Sequence, residues 1–435
     1  MRAKASNVWS IKRLRFLTTR AQAMSAERQF NQTDEVTFLP MEAIGELGQL
    51  DLSVTRPLAE VQSGYSRFKD GDVVIAKITP CFENGKGALI RDTRTGYGYG
   101  TTELHVITPG PDLDGRFLYY ATAQPAFRRL GEAAMTGAAG QQRVPEDFVR
   151  DFRIAVPTLS QQRAIADYLD RETARIDALI AAKERLLALL AEKRRALITR
   201  AVTRGLDPHA PLRDSGIPWL GEIPAHWAAE RLKFHIDHIE QGWSPQCEAV
   251  AAGPEDWGVL KAGCVNGDAF DPEENKRLPD HEAPLRELEV RSGDVLMSRA
   301  NTTELLGSTA IVGDVRPHLL LSDKLYRLHV DTARLFKRLL VYYLRTPAGR
   351  FDFERTATGA SNSMQNINQE VVRNVWIPVP PLDEQHFIVA YIASETARLD
   401  KLGAATERTI ALLKERRSAL IAAAVTGQID VGAAG

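Results

Sequence analysis

Two long segments of this chain place apolar residues at helical spacing. In the first, apolar residues recur at three- and four-residue steps and their sums, at Ile165, Leu169, Ile176, Leu179, Leu186, Leu190 and Leu197. This period predicts a continuous helix from Ser160 to Val202, with Pro157 before a cap at Ser160 and Gly205 at its end. At 1.5 Å per residue it would be about 60 Å long, which favours a coiled coil. An amphipathic helix buried in one globule is the alternative.

The helical segment is repeated later in the chain. Residues 154–207 return as residues 377–430 without a gap, at a constant separation of 223, with roughly half of the positions identical. Pro157 corresponds to Pro380, and the second copy predicts a second long helix with a cap at Asp383 and an end near Gly427. Two similar halves predict a pseudo-twofold internal repeat.

The segments before each helical copy have a different pattern. Short β-rich runs such as residues 72–76 and 294–297 alternate with glycines and prolines, which predicts mixed α+β globular domains. We therefore predict domains at residues 1–151 and 208–374, and helical repeats at residues 152–207 and 375–435. The polar, turn-forming residues 207–211 are the expected linker.

Composition narrows the class of protein without revealing its function. No apolar run reaches the roughly 20 residues of a membrane helix, so the expected location is the cytoplasm. Cys81, Cys247 and Cys264 form no CxxC pair, which supports neither a disulfide framework nor a zinc site. The formal net charge of -1 gives no overall sign of nucleic-acid binding, although a neutral total can conceal a basic face.

Motifs for catalysis or cofactor binding are not found in the sequence. The only Pro-Pro pair, Pro380-Pro381, does not form the Asn-Pro-Pro-aromatic loop of adenine methyltransferases. Gly96, Gly98 and Gly100 lack GxGxxG spacing and are interpreted as a turn or loop. Residues 84–87 lack the Ser or Thr of a phosphate loop, and the histidines at 235 and 238 are interpreted as structural. We predict a non-catalytic protein that binds no metal or cofactor.

Over nearly its full length, the chain resembles the DNA specificity (S) subunits of type I restriction-modification systems. The start of each repeat, with Pro157, Leu159 and Gln162 and again Pro380, Leu382 and Gln385, resembles the family's Pro-Leu-x-x-Gln entry with one residue after the proline. The run Gly-Ile-Pro-Trp-Leu-Gly-Glu-Ile-Pro at residues 216–224 also resembles the family's entry into the second recognition domain. The first half departs from the family pattern, because it begins at Trp9 without the Ile-Pro-Trp-Leu-Gly lead.

The resemblance implies a role in phage defence and a set of partners. The two α+β segments would be target-recognition domains, joined by two long helices that form an antiparallel coiled coil. They would read an asymmetric bipartite target in double-stranded DNA, with half-sites about one helical turn, roughly 34 Å, apart. The chain would dock two modification (adenine methyltransferase) subunits and also two restriction (nuclease-translocase) subunits, on which the methyl donor, ATP and Mg²⁺ would bind. Two alternatives are a duplicated coiled-coil scaffold that reads no DNA and a self-contained methyltransferase.

Candidate reading residues lie in loops that differ between the halves. Base edges are recognised by Arg, Lys, Asn and Gln side chains on protruding loops. In the first half the candidates are Lys77, Thr79, Lys86, Tyr97, Tyr99, Gln141, Gln142 and Arg143; in the second they are Arg299, Asn301, Lys324, Tyr326, Ser361, Asn362, Gln365 and Asn366. For each, a structural or solvated role is the alternative. The basic residues Lys193, Arg194, Arg195, Arg416 and Arg417 either contact phosphates or form a solvated coiled-coil flank.

Overall fold

The protein is divided into two compact units. A computed structural model describes residues 9–19, 31–138, 140–361, 364–429 and 431. The described residues up to Leu186, with those from Ala405 onward, form unit 1, and Leu187–Ala404 form unit 2. Each unit therefore contains one globular segment and part of each long helix. The predicted domain boundaries instead follow the sequence repeats, and they remain a prediction.

Unit 1 is built on two four-stranded sheets. Its strands are β1 (Ser10–Arg13), β2 (Thr18–Thr19), β3 (Glu35–Leu39), β4 (Thr55–Pro57), β5 (Ser66–Lys69), β6 (Val73–Ala76), β7 (Gly87–Leu89), β8 (Tyr97–Gly100), β9 (Leu104–Pro109) and β10 (Arg153–Val156). Its helices are α1 (Leu58–Val61), α2 (Gly115–Ala123), α3 (Pro125–Ala133), α4 (Glu146–Asp151) and the first part of α5 (Leu159–Arg204). The sheets have the orders β2-β9-β6-β7 and β4-β3-β8-β5, and β1 pairs separately with β10.

Unit 2 repeats much of this arrangement. Its strands are β11 (Leu212–Asp214), β12 (Glu222–Pro224), β13 (Ala228–Arg231), β14 (Ile236–Gln241), β15 (Gly258–Leu260), β16 (Asn275–Arg277), β17 (Val295–Ser298), β18 (Ala300–Asn301), β19 (Thr309–Ile311), β20 (Leu319–Leu320), β21 (Leu325–Val330), β22 (Thr358–Ser361), β23 (Met364–Asn366) and β24 (Trp376–Val379). Its helices are α6 (Lys337–Leu344), α7 (Pro347–Thr356), α8 (Gln369–Arg373) and the first part of α9 (Leu382–Val425).

The central sheet of each unit has the same topology. The antiparallel order β14-β21-β17-β19 in unit 2 matches β2-β9-β6-β7 in unit 1, strand for strand along the chain. In both units the strand that begins the half, β1 or β13, pairs antiparallel with the strand before the long helix, β10 or β24. The predicted strands at 72–76 and 294–297 are confirmed as β6 and β17, and the α+β fold with an internal repeat is confirmed.

The long helices complete the cores of both units. In unit 1, Ile165 from α5 and Ile421 from α9 belong to the same buried cluster as Val73 and Ile75 of the central sheet. In unit 2, Val202 from α5 and Ile388 from α9 are likewise buried with the central sheet. The helices are thus amphipathic elements of the two cores, as their period predicts. Among the described residues no helix is long and apolar enough to cross a membrane.

The predicted helix ends are close, but the caps differ. Helix α5 starts at Leu159, and its cap is Thr158, not Ser160: Gln161 N donates to Thr158 Oγ1 at 3.4 Å and Thr158 N donates to Gln161 Oε1 at 3.1 Å. This reciprocal pair is a capping box. Helix α9 starts at Leu382, so Asp383 lies in its first turn, where its carboxylate complements the helix dipole. Gly205 and Gly427, with φ of 72° and 75°, follow the helix ends.

Within each unit the two helix segments run antiparallel and are joined by an ion pair. In unit 1, Arg417 contacts Asp177 at 2.8 Å and is buried, with a side chain only 8% exposed. In unit 2, Arg194 contacts Asp400 and lies 3.6 Å from Asp268. Arg194 and Asp177 are each separated by 223 residues from their counterparts, so one ion pair occurs twice. The prediction of a solvated flank is wrong for Arg417, because its guanidinium is buried against Asp177 and Leu47 O.

A buried glutamine joins the start of each long helix to its globular segment. Gln162 accepts from Asp114 N at 2.8 Å and donates to Asp112 O and Pro157 O at 3.0 Å each. Gln385 accepts from Phe336 N at 2.8 Å and donates to Arg334 O at 3.1 Å and Pro380 O at 3.0 Å. Both side chains are fully buried. The glutamine of the Pro-Leu-x-x-Gln pattern is therefore a structural latch.

Replacing a latch should loosen the helix start in the unit that carries it. Gln162→Leu or Gln385→Leu leaves a buried backbone N–H without its acceptor, so we expect each to lower the free energy of unfolding by about 2 kcal/mol. Urea unfolding gives the loss, and hydrogen exchange should rise in the first turns of α5 or α9 respectively. Gln428→Leu, at an exposed glutamine, is the control. Unchanged exchange at residues 159–165 in Gln162→Leu would contradict the latch.

Candidate nucleic-acid interface

Five of the eight candidate residues of unit 1 meet at one end of the central sheet. Thr79 N donates to Gln142 O at 3.0 Å, and Val144 N donates to Lys77 O at 2.8 Å, so the segment after β6 lies beside the segment before α4. We call Lys77, Thr79, Gln141, Gln142 and Arg143 the first loop cluster. Gln141 and Arg143 are exposed, and the others are partly exposed. The central sheet brings these residues together, because Lys77 directly follows the buried strand β6.

Arg143 is held in place by a carboxylate from the turn just before β9. Its Nη2 lies 2.7 Å from Glu103 Oε1, and its Nε donates to Glu103 Oε2 at 2.9 Å. This bidentate hydrogen bonding to the guanidinium lowers the pKa of Glu103 below its ordinary value. The carboxylate therefore stays ionised at neutral pH, and the pair is lost only as the pH falls through that lowered pKa.

A basic cleft of about 600 Å³ opens beside the first loop cluster. The cationic side chains that line it are Arg15, Arg67, Lys77, Arg143 and Arg150. Several of these are paired: Arg15 contacts Asp151 at 2.6 Å, and Arg150 contacts Glu146 at 3.4 Å. Neither Lys77 nor Arg67 forms a salt bridge within the described residues. The cleft therefore retains positive charge and could attract an anion such as a DNA phosphate.

One further group in the cleft is neutral. His105 donates from Nε2 to Val144 O at 2.8 Å, and burial lowers its pKa. It adds no positive charge at neutral pH and instead fixes the backbone at the end of the first loop cluster.

The candidates of unit 2 occupy the equivalent place. Asn301 of β18 pairs with Gln365 of β23, and Ile367 N donates to Arg299 O at 3.0 Å. We call Arg299, Asn301, Lys324, Gln365 and Asn366 the second loop cluster. Arg299, Asn301, Lys324 and Asn366 are partly exposed, and Gln365 is buried. The strand pairs β18-β23 and β22-β23 correspond to isolated bridges at 78–143 and 136–143 in unit 1.

Arg299 is oriented by a buried tyrosine. Its Nε donates to Tyr326 Oη at 3.2 Å, and the Tyr326 hydroxyl donates to Ile367 O at 3.1 Å. Burial raises the pKa of Tyr326, so the hydroxyl keeps its proton and can act as donor and acceptor together. Asn301 is also engaged, since its Nδ2 donates to Asn266 Oδ1 at 2.8 Å. The cluster is therefore preorganised by contacts within unit 2.

Comparisons with known proteins agree with this duplicated architecture. No family model matches the chain. It is 28% identical over 436 residues to the EcoEI type I restriction enzyme specificity subunit of Escherichia coli, covering 82% of this chain and 73% of that protein. A chain in a structure concerned with complex assembly and conformational transition of the type I R-M system is similar with a TM-score of 0.71, 22% identity, and coverage of 98% and 100%. The HsdS subunit of Thermoanaerobacter tengcongensis gives a TM-score of 0.51, 21% identity, and coverage of 97% and 98%.

The chain belongs to the type I restriction enzyme specificity subunits. Equivalent positions of its two loop clusters carry different side chains. Position 77 is lysine where position 299 is arginine, and position 143 is arginine where position 366 is asparagine, whereas Gln142 and Gln365 are identical. The two units of this specificity subunit thus share a framework and differ in the side chains that their loops present.

The structure gives four predicted reading residues another role. Tyr97 and Tyr99 were expected in a glycine loop, but they lie on β8 with rings only 4% and 8% exposed. The glycines allow this strand to pack closely: a Cβ at Gly98 would lie 2.6 Å from Phe68. Lys86 donates to Met41 O at 2.9 Å and Tyr326 orients Arg299, so these four are structural in the specificity subunit.

Two further predictions fall at the edge of the described residues. Ser361 is the last residue of β22, next to the second loop cluster. Asn362 lies outside the described residues. The histidines interpreted as structural are engaged within unit 2: His235 lies 2.7 Å from Glu230, and His238 stacks on His329 with ring centroids 3.9 Å apart.

Sequence reasoning missed the residues that organise the interface. Glu103 precedes Arg143 by 40 residues, and Arg15 and Arg67 are more distant still from the loop that they flank. No motif signals these pairings, because they arise from the order of strands in the sheets. The pattern of exposed Arg, Lys, Asn and Gln residues identifies where the specificity subunit concentrates polar loops, but not their partners.

Proposed function

We propose that this specificity subunit reads an asymmetric bipartite target in double-stranded DNA, with one half-site for each loop cluster. The observation that carries the proposal is the repetition of one framework with different side chains at the same loop positions. A fixed framework places each loop at an equivalent site, and divergent side chains give each site a different base preference. Two unlike half-sites with an unread gap between them follow from this arrangement.

The side chains fit different modes of DNA recognition. Arg299, Asn301 and Asn366 are of the types that pair with guanine and adenine edges in the major groove. In unit 1, Arg67 lines a basic cleft suited to the DNA backbone, and Arg143 is preset by Glu103. Lys77 lines the same cleft but occupies the place of Arg299, and lysine also pairs with guanine edges. A formal net charge of -1 does not favour DNA binding, but the positive charge at the loops is local and can attract DNA there.

The long helices supply equivalent surfaces for two copies of one partner. Unit 1 exposes Leu179 and Leu412, whose side chains are 52% and 64% exposed. Unit 2 exposes their repeat equivalents Leu402 and Leu189, at 47% and 52%. Exposed leucines at identical repeat positions support the docking of two modification (adenine methyltransferase) subunits, one on each pseudo-equivalent surface. Two restriction (nuclease-translocase) subunits complete the proposed complex.

The proposed complex places the chemistry on the partner subunits. The methyl donor, ATP and Mg²⁺ are assigned to the modification and restriction subunits, and this chain supplies recognition and assembly. The alternative is a scaffold that reads no DNA. In that case substitutions in the loop clusters would not change which DNA sequence is methylated.

Methylation mapping tests the proposal directly. When this chain is expressed with its modification subunit in a methylation-free host, we expect adenine methylation at one asymmetric bipartite motif. Expression of the modification subunit alone should give no methylation at that motif, and single-molecule sequencing of the host DNA measures both. Identical maps with and without this chain would contradict a reading role and favour a scaffold.

Matched substitutions in the loop clusters should separate the half-sites. Lys77 and Arg299 occupy equivalent places, so we expect Lys77→Met to reduce methylation by tenfold or more through one half-site and Arg299→Met through the other, since one good base contact discriminates by about 1–3 kcal/mol. Methylation of a library randomised at each half-site reports the change. Lys69→Met, an exposed lysine outside the cluster, is the control. Equal losses at both half-sites for either variant would overturn the assignment.

The exposed leucines should determine how many modification subunits bind. Leu189→Glu or Leu412→Glu puts a charge on one pseudo-equivalent surface, so each should reduce the complex from two modification subunits to one, and the double variant should bind none. Native mass spectrometry measures the stoichiometry. Ala182→Glu, at another exposed position of α5, should retain two. Two bound copies in the double variant would exclude these leucines from the interface.

A further inference from the structure

The ion pair between Glu103 and Arg143 uses only part of the guanidinium. A guanidinium carries one N–H on Nε and two on each terminal nitrogen. Glu103 accepts from Nε at 2.9 Å and from Nη2 at 2.7 Å, and Gln141 O accepts from Nη1 at 3.3 Å. One N–H on each terminal nitrogen therefore has no acceptor among the described residues. Because the arginine side chain is 45% exposed, a ligand can approach these two donors.

The charge of the pair favours a base over a phosphate as that ligand. The Glu103 carboxylate lies beside the guanidinium and cancels its charge, so the pair adds little to the attraction of a phosphate. Guanine presents two acceptors in the major groove, O6 and N7, and an arginine that donates to both is the commonest base-specific contact. A neutral pair with two unused donors therefore fits a guanine edge.

Unit 2 has a different side chain at the place of the carboxylate. In unit 1, Lys77 N donates to Glu103 O at 2.9 Å. The same bond in unit 2 runs from Arg299 N to Lys324 O at 2.8 Å, so position 324 corresponds to position 103. Lys324 cannot orient an arginine, and its Nζ instead lies 3.1 Å from Asp323 Oδ2. The acidic member of the pair is therefore absent from the equivalent place in unit 2.

The partner of the carboxylate differs as well. In unit 1, Arg143 forms an antiparallel bridge with Ile78. In unit 2 the equivalent bridge joins Asn366 to Ala300, so position 366 corresponds to position 143. Both members of the pair are thus exchanged on an equivalent backbone. A carboxylate needed for the framework would be expected in both units, whereas one that orients an arginine is needed only beside an arginine.

We propose that Glu103 determines specificity by orienting Arg143, and that this arginine reads a guanine in the half-site of unit 1. The inference deepens the proposed function and rests on it. Glu103 contacts no base; it is a positioning residue that holds one edge of the guanidinium while the remaining donors bind guanine O6 and N7. At the equivalent place of the other half-site, Asn366 reads an adenine, because a carboxamide donates to adenine N7 and accepts from its N6. The two half-sites therefore differ at this position.

Moving the pair into unit 2 tests the proposal by gain of function. In the double variant Lys324→Glu/Asn366→Arg, we expect the preferred base at one position of the unit 2 half-site to change from adenine to guanine, by tenfold or more. Asn366→Arg alone lacks the orienting carboxylate and should prefer guanine less strongly. Methylation of a library randomised at both half-sites, by the complex with its modification subunits, measures the preference. An unchanged base preference in a double variant that still methylates DNA, or an equal guanine preference in the single variant, would overturn the proposal.

Removing the carboxylate from unit 1 gives the complementary test. Glu103→Ala should lower the guanine preference at one position of the unit 1 half-site tenfold or more and leave the unit 2 half-site unchanged. Glu103→Gln should keep part of the preference, because its amide oxygen still accepts from the guanidinium. Glu132→Ala, at an exposed glutamate of α3, is the control. A loss that is equal for all bases, with a weaker dependence of binding on salt, would mean that Arg143 contacts a phosphate and would overturn the proposal.

The methylation motif of the unaltered protein separates this inference from the proposed function. The Lys77→Met variant identifies which half-site belongs to unit 1, and we expect a G·C pair in that half-site. A bipartite motif whose unit 1 half-site contains no G·C pair would overturn the role of the Glu103–Arg143 pair and leave DNA reading by the loop clusters intact. If no motif depends on this chain, the proposed function fails and the inference fails with it.

Discussion

The buried glutamine at the start of each long helix is the interaction on which each unit depends. A long helix that begins at a domain surface must satisfy its first turn and keep a fixed direction. Gln162 and Gln385 do both, because each binds the backbone before its own helix and the backbone of a loop about 50 residues away in sequence. Both side chains are fully buried, and in the observed conformation the amide oxygen and the amide nitrogen of each make hydrogen bonds. The direction of each helix start is therefore fixed by its globular segment.

The second constraint is the ion pair between the helix segments of each unit. The duplication preserves this pair, although the arginine is buried in one unit and partly exposed in the other. Arg417 is almost fully buried and also binds Leu47 O, whereas its counterpart Arg194 is 30% exposed and shares its charge with Asp268. A buried pair is costly to break, and an exposed one contributes little. The same two residue types therefore specify helix register strongly in unit 1 and more weakly in unit 2.

The sequence predicts the elements of this fold better than the partners of its side chains. Both long helices, their final glycines and the strands β6 and β17 follow from local period and turn residues. Local pattern could not place Tyr97 and Tyr99, because alternating glycines suit a loop as well as a strand. The segment is a strand because it pairs with β3 and β5, where Phe68 packs against Gly98. The caps differ by one or two residues because Thr158 and Ser160 are both competent, and the choice depends on where the preceding strand ends.

The partners of the basic side chains also explain why a nearly neutral protein can present a basic interface. Arg15, Arg143 and Arg150 each have a carboxylate partner, so the acidic residues that cancel the net charge also hold these arginines in place. Lys77 and Arg67 form no salt bridge among the described residues, so the cleft that they line keeps positive charge. In the proposed function, a DNA phosphate in this cleft would meet arginines that carboxylates already hold in place, together with the two cations that form no salt bridge. The net charge sums cations that are paired with carboxylates and cations that are not, whereas recognition depends on where the unpaired cations lie.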